Sequence, residues 1–171
     1  MKSLFAIFFM LLSSAVFAKE SAEEIFAQLT PSLYQIKLID KASGEKSSIG
    51  SAFQISADGI IATNYHVISS YARHPEKYRI EYLDHLGNTA QVSLVSVDVI
   101  NDLALVKRQV SKDMPFFSLS DKKPSKGEQL FALGNPHDLG MIVGTRHYNH
   151  RSEEHTSELQ SQSNLVCRLL L

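Results

Sequence analysis

The stretch Gly50-Ser51-Ala52-Phe53-Gln54-Ile55-Ser56-Ala57-Asp58-Gly59-Ile60-Ile61-Ala62-Thr63-Asn64-Tyr65-His66-Val67 decides how this chain folds. Ser51, Phe53 and Ile55 alternate with Ala52, Gln54 and Ser56, and a period of two marks a half-buried strand rather than a helix. Asp58-Gly59 is a pair that tight hairpin turns favour, because glycine takes positive φ without steric cost. Ile60 to Thr63 resumes an extended run. Thr63 and Asn64 carry side chains able to cap a helix, so Tyr65-His66-Val67-Ile68 is predicted as a short helical turn at the end of that strand, with Ser69 to Lys77 as loop. His66 thereby stands on a rigid support.

A histidine in an apolar stretch is more often structural than chemical, so His66 alone assigns nothing. The composite Gly-Ser-x-Phe-x-Ile-Ser-x-Asp-Gly-x-Ile-x-Thr-Asn-x-His-Val, however, resembles the histidine segment of trypsin-like serine proteases of the HtrA/Deg type, with Ala52 standing where that family usually has glycine. A second stretch, Asp98-Val99-Ile100-Asn101-Asp102-Leu103-Ala104-Leu105-Val106-Lys107, places a carboxylate before four apolar residues. Burying an unpaired charge is costly, so Asp102 belongs at a strand's mouth or beside a partner; an aspartate that merely ends a turn also satisfies the pattern. Set 36 positions after His66, Asp-Leu-Ala-Leu-Val-Lys resembles the family's aspartate motif. The resemblance implies that His66 is a general base and acid, that Asp102 orients it, and that Asp98 is a loop residue. The chemistry behind such a pair is general: a serine hydroxyl needs an imidazole to take its proton, and a carboxylate to hold that imidazole in the right tautomer. No cofactor is implied.

Outside these two stretches the chain reads as many short strands with little helix. Ser21-Ala22-Glu23-Glu24 has the spacing of a capping box, followed by Ile25, Phe26 and Leu29 on one helical face, and Thr30-Pro31 ends that helix. Ser32 to Asp40, Tyr78 to Tyr82 and Thr89 to Val97 alternate as strands, with a polar loop at Lys41 to Ser48 and a turn at Asp84 to Asn88. That pattern indicates an all-β barrel or sandwich. The family resemblance, which runs from about Ser32 to Gly140, implies a trypsin-like double β-barrel: residues 19–31 a lead-in, 32–117 a complete first barrel, and 118–150 the connection and the start of the second. Lys126 to Pro136 matches the strand and Gly-Asn-Pro turn that open the second barrel in that family.

The family's nucleophile lies in a glycine-flanked loop, and Ser152, Ser157, Ser161 and Ser163 have no such setting. The serine nucleophile is therefore expected to be absent from this chain, which is read as an inactive fragment of a serine endopeptidase acting on polypeptides; the rival reading is a non-catalytic trypsin-like binding or chaperone domain. Residues 151–171 resemble translated sequencing adapter and are set outside the fold. Exposed apolar barrel edge predicts poor solubility.

Lys2, the apolar run Leu4 to Leu12 and the small-residue exit Ser13 to Ala18 make residues 1–18 a secretory signal peptide. The run falls short of the roughly 20 residues that span a bilayer, so export to a periplasm or beyond is expected, without stable membrane insertion once the signal is removed. With 44% hydrophobic residues, 20% charged residues and a formal charge of −1, the chain shows neither the basic excess of a nucleic-acid binder nor an acidic block. Cys167 is the single cysteine and forms no internal disulfide. His66, His74, His85 and His137 match no zinc spacing, so no metal is expected. Tyr71, Tyr78 and Tyr82 read as ordinary strand and loop aromatics. Cleavage preference and oligomeric state stay open.

Overall fold

The structure, a computed structural model, describes residues 22–110, 114–134, 142–147 and 167–170. The alternation on either side of Asp58-Gly59 forms an antiparallel hairpin of β2 (Lys46–Gln54) and β3 (Ile60–Thr63), in register from Ala52 opposite Thr63 to Gln54 opposite Ile61. Gly59 has φ +91°, and the Ser56 hydroxyl accepts the Ile60 N–H at 3.0 Å to close the turn. The remaining strands are β1 (Leu33–Asp40), β4 (Tyr78–Leu83), β5 (Thr89–Asp98) and β6 (Leu103–Lys107). They join in the order β1-β2-β3-β6-β5-β4, and β4 returns to β1, so the six strands close into an antiparallel barrel with no free edge.

Closure leaves one interior to fill. Tyr34, Ile36 and Leu38 of β1 meet Ala52, Ile61, Ile80, Val92, Ala104 and Val106 there, all buried. β1 is more buried than a strand with one solvated face. On its other side Leu33 packs with Phe117 and Leu133, against which Phe26 and Leu29 of α1 (Ala22–Leu29) also lie. The apolar residues that alternate along β1 thus serve two clusters.

α2 (Tyr65–Arg73) is a correction to the sequence reading, which ended this helix at Ile68 and made residues 69–77 loop. Val67 and Ile68 are buried and Tyr71, one turn on, packs against the same core. Ser69 and Ser70 do not break the helix: the Ser69 hydroxyl donates back to the His66 carbonyl, and the His74 N–H closes the last turn on the Ser70 carbonyl. The expected polar loop after β1 is likewise shorter, because β2 begins at Lys46.

A second sheet carries β7 (Gln129–Gly134) between β8 (Ile142–His147) and β9 (Cys167–Leu170), all antiparallel neighbours. β9 falls in the stretch that the sequence reading set outside the fold. The signal segment 1–18, Ser21 of the capping box, the Asn135-Pro136 turn and residues 151–166 lie outside the described residues. Among the described residues no helix is long and apolar enough to cross a membrane.

Candidate active site

Thr63 ends β3 and Leu103 begins β6, and these strands are paired neighbours, with Thr63 opposite Ala104. The residues just past each end, Asn64 to His66 and Asp102, therefore meet at one mouth of the barrel. Asp102 has φ +53°, the one non-glycine positive value among the described residues. Aspartate tolerates this region better than most side chains, and the conformation turns its carbonyl and its carboxylate toward the start of α2.

All three oxygens of Asp102 are used. Its carbonyl accepts the Tyr65 N–H at 3.1 Å, Oδ1 accepts the His66 N–H at 2.8 Å, and Oδ2 lies 2.7 Å from His66 Nδ1. The first two N–H groups of α2, which a helix leaves without internal partners, are thus capped by a residue 36 positions away, and a carboxylate stands at the positive end of the helix dipole. Neither predicted capping side chain serves: Asn64 occupies the cap position without a side-chain cap bond, and the Thr63 hydroxyl donates to the Ser51 carbonyl at 2.9 Å.

A carboxylate only accepts, so the Asp102 contact requires the proton on His66 Nδ1. In the neutral ring that leaves the Nε2 lone pair uncommitted. The side chains of His66 and Asp102 are 53% and 43% exposed, so the pair stands at the surface, open to an incoming group.

The turn that delivers Asp102 is held by Asp98, whose Oδ2 accepts Asn101 Nδ2 at 2.7 Å and whose Oδ1 accepts the Asn101 N–H at 3.0 Å. The Asn101 side-chain bond first, and then its backbone bond, hold the Asp98 carboxyl below its ordinary value of 3.8. Close by, Val99 and Ile100 are exposed apolar side chains at the tip of that turn.

The far end of the barrel is closed by a polar plug. The Arg108 guanidinium lies over the rings of Tyr34 and Tyr82, at 5.2 and 4.8 Å, and donates to the Tyr34 hydroxyl. That hydroxyl lies 3.3 Å from Gln54 Oε1, and Gln54 donates onward to the Ser56 carbonyl at 2.9 Å. Burial raises the Tyr34 phenol above 10.0, with the Arg108 charge opposing the rise.

Sequence reasoning named His66 and Asp102, and the structure brings them together; His74 and His85 it places elsewhere, His74 beside Glu76 at 3.4 Å. His137 lies outside the described residues. Among the described residues no three His, Cys, Asp or Glu side chains are grouped to hold a metal. The parts that sequence reasoning missed are the contact of Asn64 with Asp102, described below, and the Arg108 plug. An asparagine two residues before the histidine is visible, but no local pattern ties it to a residue 38 positions on.

A closed six-stranded barrel that carries histidine and aspartate at one mouth, followed by a second β-sheet, defines the trypsin-like class of proteins. The chain belongs to the trypsin-like peptidase domain family, whose model matches residues 50–168. It is 36% identical over 98 residues to a probable periplasmic serine endoprotease DegP-like of Rickettsia prowazekii, a match covering 57% of this chain and 18% of that protein. It is 29% identical over 129 residues to serine protease HTRA1 of Xenopus tropicalis, covering 71% of this chain and 26% of that protein. The crystal structure of the serine endoprotease from Yersinia pestis shares the fold, with a TM-score of 0.64 at 24% identity over 77% of this chain and 45% of that one. The chain therefore spans about a fifth to a quarter of the length of these curated relatives.

Proposed function

We propose that the protein to which this chain belongs is an exported serine endopeptidase of the HtrA/DegP type, with His66 as general base and acid and Asp102 as its orienter. The observation that carries the reading is the 2.7 Å contact between His66 Nδ1 and Asp102 Oδ2 on an exposed barrel mouth. With Nδ1 committed as donor, Nε2 is the nitrogen that takes the proton of a serine hydroxyl as that oxygen attacks a peptide carbonyl. The same proton then passes to the departing amine, and Asp102 stabilises the imidazolium between the two steps.

Polypeptide is the substrate class, as the names of the relatives indicate. Export fits both residues 1–18 and the periplasmic relatives, and residues 32–117 and 118–150 are the first barrel and the opening of the second. No serine of residues 129–171 stands in the glycine-flanked loop to which the nucleophile belongs, and residues 151–171 resemble translated adapter, a reading at odds with the pairing of β9 (Cys167–Leu170) on β7. The 171-residue chain by itself is then inactive. The second reading is a trypsin-like domain that binds polypeptides without cleaving them; retention of both His66 and Asp102 favours the peptidase over it, and alanine or glycine in place of the serine in the continued frame would favour it instead.

Reading the genomic frame onward from Gly140, expressing the continued protein and treating it with a fluorophosphonate separates the two. Labelling of a serine, lost on His66→Ala, supports the peptidase. Asp102→Asn is expected to lower kcat by about 10⁴-fold, the loss that this change brings in the trypsin-like triad. A folded continued protein that takes no label overturns the peptidase reading.

A further inference from the structure

We infer that Asn64 is a positioning residue for the His66–Asp102 pair, an inference that rests on the catalytic reading above. Asn64 stands at the cap position of α2, where an asparagine ordinarily turns its side-chain oxygen onto the free N–H groups of the first helical turn. Here it does not. Its amide nitrogen instead donates to the Asp102 carbonyl at 3.1 Å and to Asp102 Oδ2 at 3.0 Å. Oδ2 is the same atom that faces His66 Nδ1 at 2.7 Å. The two hydrogens of one amide thus tie the backbone and the carboxylate of Asp102 to each other.

The opposite end of the amide shows what this arrangement costs. Asn64 is only 9% exposed, and its Oδ1 is buried without a hydrogen-bond partner. Rotating the amide by half a turn would set Oδ1 against the carbonyl and the carboxylate of Asp102, bringing acceptors together with no proton between them. The orientation is therefore fixed by Asp102, and an orphaned oxygen is retained with it. Buried polar atoms without partners are rare and call for an explanation. A side chain kept only for stability at this position would cap the helix; this one leaves capping to Asp102 and acts on the carboxylate that faces the imidazole.

Two consequences follow for the pair. The carboxylate plane cannot swing away from Nδ1 without breaking the Asn64 bond to Oδ2. The backbone of Asp102, at φ +53°, cannot relax without breaking the bond to its carbonyl. Asn64 therefore holds His66 in the tautomer with the proton on Nδ1 by way of Asp102, touching neither the imidazole nor a substrate.

The test is nitrogen NMR of the ¹⁵N-histidine-labelled chain above the histidine titration, where the two ring nitrogens report which one carries the proton. In the unaltered chain His66 is expected as the Nδ1–H form. Asn64→Leu, close in volume but without donors, is expected to shift the equilibrium toward the Nε2–H form, and Asn64→Asp, isosteric and repelling Asp102, to shift it further. Thr63→Val removes the neighbouring bond to the Ser51 carbonyl and is expected to lower stability while leaving the His66 tautomer in place. An unchanged tautomer in folded Asn64→Leu overturns the inference, and so does failure of both Asn64 variants to fold where Thr63→Val folds, since the role would then be in folding alone. Asp102→Asn tells this failure from that of the reading beneath it. If Asp102→Asn leaves the tautomer unchanged, the His66–Asp102 pairing itself is wrong; if it shifts the tautomer and Asn64→Leu does not, only the role of Asn64 falls.

Discussion

Gly50→Ala tests how α2, and His66 with it, is seated on the barrel. Gly50 is buried on β2, and a Cβ built there falls inside the Val67 side chain, 3.2 Å from Cγ1, 3.3 Å from Cβ and closer still to Cγ2. Rotating Val67 about its one side-chain torsion can carry Cγ2 away but leaves Cβ tight at 3.3 Å, and a valine in a helix strongly prefers one rotamer, so relief by rotation is itself costly. Val67 is 1% exposed and has nowhere to go without moving the helix that carries His66. Overpacking of this kind costs about 1–3 kcal/mol. For a chain of 171 residues each kcal/mol lowers Tm by about 2–4 °C, so a cost near the middle of that range lowers it by about 4–8 °C. The assay is urea unfolding of Gly50→Ala, Val67→Ala and the double variant. Val67→Ala alone destabilises by opening a cavity, but in the double variant the new methyl occupies part of the vacated space. The double is therefore expected to be more stable than the two single effects predict, by about 0.5–3 kcal/mol of coupling. A neutral Gly50→Ala, or strictly additive effects, would refute the seating of α2 on Gly50.

Two further outcomes are expected. Tyr34→Phe removes the acceptor of Arg108 and the partner of Gln54 Oε1, and is expected to cost about 1–3 kcal/mol in urea unfolding; no measurable loss would mean that the plug does not stabilise the barrel end. In the unaltered chain the Tyr34 phenol lies above its ordinary 10.0, so its contribution is fully present below pH 10.0 and lost as pH rises through the higher folded value. For Asp98 the sign is opposite: with its folded value held below 3.8, its contribution is present above pH 3.8 and lost as pH falls through that lower value. The Asn101 amide resonance is expected to follow this titration, and a midpoint at or above 3.8 would detach Asp98 from the turn.

Much of the barrel is legible because it rests on short-range patterns. Alternation of apolar side chains, Asp58-Gly59 between two runs, and a carboxylate at the head of Leu103-Ala104-Leu105-Val106 each mark one element without reference to any other. His66 and Asp102 are legible for a different reason, since each stands in a motif that resembles the same family. The length of α2 is not, because Ser69 and Ser70 give it no propensity and Ile68 and Tyr71 hold it through contacts with strands distant in sequence. The Arg108 plug is illegible for the same cause: nothing near Arg108 shows that Tyr34 and Tyr82 receive it from the opposite wall of the barrel.

Asn64 marks the boundary between the two kinds of information. As a local signal it reads correctly as a helix cap position, and the structure does start α2 immediately after it. Its side chain departs from the local rule because Asp102 arrives with both a carbonyl and a carboxylate, and supplies to Tyr65 and His66 the acceptors that a cap would have supplied. Once those N–H groups are taken, the asparagine oxygen has no donor to meet, whereas its nitrogen has two oxygens of Asp102 within 3.1 Å. Placing a non-glycine residue at positive φ costs about 1–3 kcal/mol, and a buried oxygen without a partner adds a cost of similar size. Both costs fall on the contacts that aim one carboxylate at one ring nitrogen. A local rule gives way here because holding the histidine matters more to the barrel mouth than capping the helix by its nearest side chain.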